Sequence, residues 1–164
     1  MIVERPVTNA GRGAARSAGS IVAAVTAGEE SATELASRAV DALLGRPEDT
    51  GVATLTPNLA EETAAAVDRE LRVPSAQRAS GPRSRDDVRR LTGLPVAVKD
   101  LYPISGVTCT LGSSRLARTA EHTADPVVRL LARGATIPAT TATSEMGATA
   151  YTEPTDLPAP DSRS

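Results

Sequence analysis

Leu91-Thr92-Gly93-Leu94-Pro95-Val96-Ala97-Val98-Lys99-Asp100 is the stretch on which the fold turns. After the Leu91–Gly93 turn, its apolar run from Leu94 to Val98 ends abruptly in two opposite charges. Continuous apolar character over so few residues predicts a strand buried on both faces, as in parallel or mixed sheets covered by helices. In such sheets reactive groups gather just beyond the carboxyl ends of strands, and Lys99 falls there. A partly desolvated lysine at that point loses its preference for the charged ammonium and can accept a proton. Asp100 works against this, because a carboxylate favours the ammonium, although strand alternation predicts its side chain on the opposite face. Taken alone, a Lys-Asp pair at a strand end is more often solvated or salt-bridged than catalytic.

Downstream, Asp125 to Arg133 has helical spacing, with Val127, Val128, Leu130 and Leu131 predicted to face inward. Asp125 is the predicted N-cap, Pro126 suits the first turn and Gly134 the C-terminal cap. Ala135 to Thr140 is the next predicted strand. Its Pro138 cannot donate to a ladder, which marks that strand as an edge or an irregular piece. Strand, helix, strand is the order of an α/β sheet.

Upstream, Ser20 to Leu44 reads as two helices, with Ile21, Val25, Leu35, Ala39, Ala42 and Leu43 at helical spacing and a break at Gly28. Ser31-Ala32-Thr33-Glu34 has the form of a capping box for the second helix, and Gly45 and Pro47 end it. Val52 to Leu55 is a predicted short strand, and Glu61 to Leu71 a further helix. Residues 1–19 read as a flexible lead-in, Pro74 to Asp87 as a polar connector, and 154–164 as a proline-rich tail. The predicted domain is 20–153. Gly11 and Gly13 follow no strand, so they do not make a phosphate loop.

Composition narrows the classes of function. The 164 residues include no Phe or Trp, and only Tyr102 and Tyr151 carry rings, so the core is built from small aliphatic side chains and is expected to be marginal in isolation. A formal net charge of −2 leaves no basic footprint for nucleic acid. The cluster Arg78, Arg83, Arg85, Arg89 and Arg90 is interrupted by Asp86 and Asp87 and reads as a solvated linker. Cys109 is the one cysteine and His122 the one histidine, so neither an internal disulfide nor a His/Cys metal cage can be assembled. No cofactor or metal is expected. With no apolar leader and no span of membrane-crossing length, the expected location is the cytoplasm, away from any membrane.

Four ordered segments resemble those of amidase-signature enzymes. The opening stretch is similar to that family's Leu-x-Gly-(Ile/Val)-Pro-(Val/Ile)-x-(Val/Ile)-Lys-Asp. Gly106-Val107-Thr108-Cys109-Thr110-Leu111-Gly112-Ser113 resembles its Gly-Val-x-Thr-Thr-x-Gly-Ser loop, and Ala124 to Ala135 its Asp-Ala-x-Val-x-x-Leu-(x)3-Gly-Ala helix. Thr143-Ser144-Glu145-Met146-Gly147 is similar to its Thr-Asn-x-x-Glu-Phe-(Gly/Ala) segment, and the Ser20–Leu44 helices look like its amino-terminal pair. Together these cover about residues 20–153.

The resemblance implies an α/β fold: amino-terminal helices followed by part of a mixed β-sheet flanked by helices, an incomplete version of the amidase-signature fold. It implies hydrolysis of carbon–nitrogen bonds in a small amide by a Ser-Ser-Lys triad, with Lys99 as the lysine and Gly112 and Ser113 lining the substrate. The Gly-Gly-Ser-Ser-Gly-Gly motif that carries both serines is absent from the sequence, so the chain reads as truncated before it and inactive alone. Ser113 and Ser114 match the Gly-Ser loop, not the nucleophile motif. Ala139-Thr140-Thr141 stands where the family usually has Gly-Lys-Thr, a departure that bears on the local site geometry. Cys109 is expected to be a small buried filler, and His122 a surface residue between helical segments. The alternatives are one half of a split amidase, completed by a complementary polypeptide that supplies the serine motif, or a binding module that keeps the fold without catalysis.

Overall fold

The computed structural model describes residues 16–45, 51–73 and 90–149. The lead-in before Arg16, the Pro74–Asp87 connector, Pro47 and the 154–164 tail lie outside the described residues. The chain forms α1 (Ala18–Ala27), α2 (Ala32–Leu44), β1 (Val52–Leu55), α3 (Pro57–Arg72), β2 (Val98–Lys99), β3 (Thr108–Cys109), β4 (Arg118–Thr119), α4 (Asp125–Ala132) and β5 (Ala139–Thr141). Short 3-10 turns occupy Ser114–Leu116 and Glu145–Gly147.

The three amino-terminal helices pack on one another around Val25, Ala32, Leu35, Ala36, Val40, Ala60, Ala64 and Val67. Small side chains at 36, 60 and 64 let α2 and α3 approach closely. The capping box is present in full: Ser31 accepts from the Glu34 amide, and the Glu34 side chain accepts from the Ser31 amide. A second cap comes from far along the chain. The Asp68 carboxylate on α3 accepts from the amides of Ala32 (2.8 Å) and Thr33 (3.1 Å) and from the Thr33 hydroxyl (2.6 Å), so an anion sits at the positive end of α2. Asp68→Ala leaves these amides without that acceptor. It is expected to cost about 2 kcal/mol, a fall of roughly 6 °C in melting temperature, measurable by thermal denaturation beside Asp68→Asn.

α3 begins four residues before the predicted Glu61, because Pro57 at the first position is already set for helical geometry. α4 begins at Asp125 itself, with Ala124 as N-cap and no side-chain capping bond, so the predicted Asp125 cap is corrected. At its other end the Gly134 amide bonds to Leu131 and the Ala135 amide to Leu130, the paired closure of a Schellman motif. Val127 is buried and Leu130 and Leu131 half-buried, but Val128 is 49% exposed, since one residue further round a helix is 100° away from the covered face.

The sheet is mixed, in the order β1-β5-β2, with β1 antiparallel and β2 parallel to β5. The predicted continuous strand from Leu94 is shorter than expected. Pro95 has no amide to donate, and pairing there is reduced to a bridge to Thr136, with regular pairing only at Val98–Lys99. Nor is it buried on both faces: Val98 and Asp100 point inward while Ala97 and Lys99 are exposed. The expectation for Pro138 is also corrected. β5 is the central strand, and Pro138 lies just before its first paired residue, where its missing amide interrupts nothing and its carbonyl accepts from Thr56 (2.9 Å). Val98, Ile104, Val127 and Ile137 form the core beneath this sheet, with Leu59 of α3 against it.

Candidate active site

β2 holds the end of the site in place. Val98 pairs with Thr140 and Lys99 with Thr141, and the Asp100 amide donates to the Thr141 carbonyl at 3.0 Å. The chain then turns, the Tyr102 amide donating to the Lys99 carbonyl at 3.0 Å. Alternation sends Lys99 outward and Asp100 inward, so the predicted opposite facing holds while the predicted desolvation of Lys99 does not: its side chain is exposed. The reason is geometric: Lys99 lies on the face opposite Val98, and it is Val98 that joins the core with Ile104, Val127 and Ile137. One signal in the sequence was overlooked. Of the 18 basic residues, Lys99 is the only lysine. Arginine stays protonated in proteins, so Lys99 is the one basic side chain of that set able to act as an amine base.

Asp100 is 1% exposed. Its Oδ2 accepts from the Thr110 amide (2.9 Å) and from the Thr110 hydroxyl, while Oδ1 is buried with no hydrogen-bond partner. The Gly106–Ser114 loop is thereby fastened to the residue next to Lys99. Inside the loop the Gly112 amide donates to Thr110 Oγ1 (3.1 Å) and the Ser113 amide to the Thr110 carbonyl (3.0 Å). β3 pairs with β4, Thr108 opposite Thr119 and Cys109 opposite Arg118, which closes the loop on its far side.

The Thr143–Gly147 segment covers the loop. The Met146 amide donates to the Leu111 carbonyl (2.7 Å), and Gly112, at φ +80°, lies so near that segment that a Cβ would sit 2.4 Å from the Ser144 carbonyl oxygen. The structure thus gathers the end of β2, the Gly-Ser loop and the Thr143–Gly147 segment, which the sequence holds up to 48 residues apart from Lys99 to Gly147 (147 − 99). Gly112 is half-buried and packed against backbone. Ser113 is half-buried and begins the Ser114–Leu116 turn. Ser114 and His122 are exposed, and His122 follows β4, not a helix.

A cavity of about 310 Å³ lies behind the loop, lined by Cys109, Leu111, Arg118 and His122 among others, and its lining includes neither Lys99 nor Ser113. Cys109 is buried, its thiol donating to the Asp100 carbonyl at 3.6 Å. Burial pushes this thiol above its ordinary value of 9.0; the Leu111 backbone opposes the rise, the neighbouring Asp100 carboxylate adds to it, and Arg118 opposes it least. A raised value leaves the thiol protonated at neutral pH, so alkylation at pH 7 is expected to be slow in the native chain and fast once it is unfolded; equal rates would contradict the burial. The sign for stability follows. The unfolded thiol ionises first, so this contribution is complete below pH 9.0 and declines as pH rises beyond it.

Among the described residues no group of three or more His, Cys, Asp or Glu is placed to hold a metal, and no helix is long and apolar enough to cross a membrane.

The mixed sheet with its helices is the architecture of amide-hydrolysing enzymes of known structure. A peptide amidase from Stenotrophomonas maltophilia is 27% identical with a TM-score of 0.66, the match covering 80% of this chain and 26% of that one. A 6-aminohexanoate cyclic dimer hydrolase is 26% identical with a TM-score of 0.63, covering 85% and 26%. A chain from a vestigial protein complex bearing on the origins of an s-triazine catabolic enzyme is 27% identical with a TM-score of 0.65, covering 79% and 27%. This chain therefore spans about a quarter of the length of the solved proteins it matches. No curated protein matches it. The family model described as Amidase matches residues 37–159, and the chain belongs to that family.

Proposed function

We propose that this chain contributes the lysine half of an amidase site, in which Lys99 is the base of a Ser-Ser-Lys triad and both serines come from a segment outside these 164 residues. The observation that carries the reading is the placement of the chain's only lysine at the end of β2, beside the Gly106–Ser114 loop. In that chemistry the unprotonated amine takes a proton through a bridging serine, and a second serine attacks the amide carbonyl to give an acyl-enzyme. Gly112 and Ser113 line the substrate, a small amide, and no cofactor is needed.

The exposure of Lys99 fits a site open on one side until the serine-bearing segment covers it, whether as a continuation or as a complementary polypeptide. Such cover would remove water from the amine and favour its neutral form. The lone cysteine and the net charge of −2 accord with a cytoplasmic enzyme acting away from membranes and nucleic acid. The domain expected at 20–153 is extended back to Ala18, where α1 begins, with the residues before α1 taken as lead-in and 154–164 as tail. The test is a hydrolysis assay on simple amides. The purified chain is expected to show no turnover, and turnover is expected when it is joined to, or produced with, a polypeptide encoded downstream that carries Gly-Gly-Ser-Ser-Gly-Gly. Turnover by the chain alone that vanishes in Lys99→Ala would overturn the need for added serines.

A further inference from the structure

The amidase reading leaves Asp100 without a task, yet this is the most deeply buried ionisable side chain at the site, at 1% exposed. Its Oδ2 accepts from both the amide and the hydroxyl of Thr110, while Oδ1 is buried without a partner. A group used only to fill the core would be better replaced by an apolar side chain, since a buried carboxylate oxygen with no donor is unfavourable. What the carboxylate does accomplish is geometric. Its own amide is fixed to Thr141 of the central strand, its carbonyl receives the Cys109 thiol, and Thr110 passes the connection on by accepting from the Gly112 amide. Gly112 in turn is wedged against Ser144. The route from β5 to the Gly-Ser loop therefore runs through the residue adjacent to Lys99.

We propose that Asp100 is the positioning residue of this site, its carboxylate locking Thr110 and the Gly106–Ser114 loop to the end of β2 so that Lys99 and the Gly112–Ser113 backbone keep a fixed relation. This rests on the reading of Lys99 as the base, but the locking is a property of the chain alone and is measured without turnover. A failed hydrolysis assay would leave the following result standing, and the reverse.

Because Lys99 is the only lysine, reductive methylation with carbon-13 formaldehyde gives one lysine NMR signal, separate from the terminal amine. In Asp100→Ala that signal is expected to move or broaden. The amides of Gly112 and Ser113 are expected to exchange with solvent at least tenfold faster, while amides in the middle of α2 and α3 keep their native rates. Asp100→Asn, which retains an oxygen able to accept from Thr110, is expected to restore both readouts. The proposal is overturned if Asp100→Ala leaves the Lys99 signal and loop exchange unchanged, if exchange rises equally in the helices and the loop, or if Asp100→Asn fails to restore them. Should Asp100→Ala not fold, Thr110→Val removes the hydroxyl from the other end, with Thr110→Ser as its rescue. The same loop-confined change, reversed by Ser, supports the proposal; no change, or a uniform one, overturns it.

Discussion

Lys99→Ala is expected to lower amide turnover of the completed enzyme by about 10⁴-fold or more, the range found when one member of a catalytic triad is removed. Lys99→Arg is expected to do no better. The two cations are similar in length and charge, and an exposed edge position accommodates either, so folding is not at issue. The difference lies in the proton: a guanidinium does not release one at any pH a protein tolerates, whereas an ammonium relieved of its water can. An ion-pairing or surface role would be retained by arginine, and a base would not. Steady-state rates for the wild type and both variants, with melting curves to confirm the fold, separate the two. Arginine at wild-type rates would remove Lys99 from the mechanism.

The second large effect is on stability. Gly112→Ala is expected to cost about 2–5 kcal/mol, from about 1–2 for a left-handed backbone on an L residue and about 1–3 for forced contact with its surroundings. The contact cannot be relieved by a rotating side chain, because the new Cβ would meet the Ser144 carbonyl oxygen at 2.4 Å and the Thr143 carbonyl oxygen at 2.6 Å, both backbone atoms. Thr143 is itself buried. The loop and the Thr143–Gly147 segment would have to part, and that separation also opens the candidate site. Against a typical total of about 5–15 kcal/mol, such a loss leaves the chain near unfolding. Denaturant titration measures it. A midpoint unchanged by Gly112→Ala would mean that the two segments do not pack in this way.

Much of the architecture is written locally and was legible for that reason. Ser31 and Glu34 announce the start of α2, Gly28 and Gly45 bracket the amino-terminal helices, and Gly134 closes α4, because caps are interactions between residues three or four apart. The order of strand, helix and strand from Val98 to Thr141 likewise follows from local apolar runs. What escaped depends on distant partners. Asp68 caps α2 from 36 residues away, a contact that no window along the chain contains. The central place of β5 depends on β1, more than 80 residues earlier, so within its own window Pro138 marks an edge or irregular strand although it precedes the paired residues. Val128 carries the same apolar character as Val127, and only the packing of α4 decides which of them faces Ile137.

The candidate site was read less completely than the fold. The position of Lys99 at a strand end follows from the sequence and is found in the structure. Its desolvation was expected from the apolar run before it, but an apolar run speaks only for the residues facing inward, Val98 and Asp100 here. The carboxylate looked like a competitor for the lysine's charge. In the structure it lies on the other side of the strand and bonds to Thr110, ten residues on.

The most direct test of the central claim is chemical modification of Lys99 with a water-soluble amine reagent, located by peptide mapping, in the chain alone and in the chain completed by the serine-bearing segment. The account predicts rapid modification in the first case and strong protection in the second, with protection lost when that segment is removed. Equal modification in both, in a completed enzyme that hydrolyses amides, would show that the amine stays in water during turnover and would contradict its role as the base.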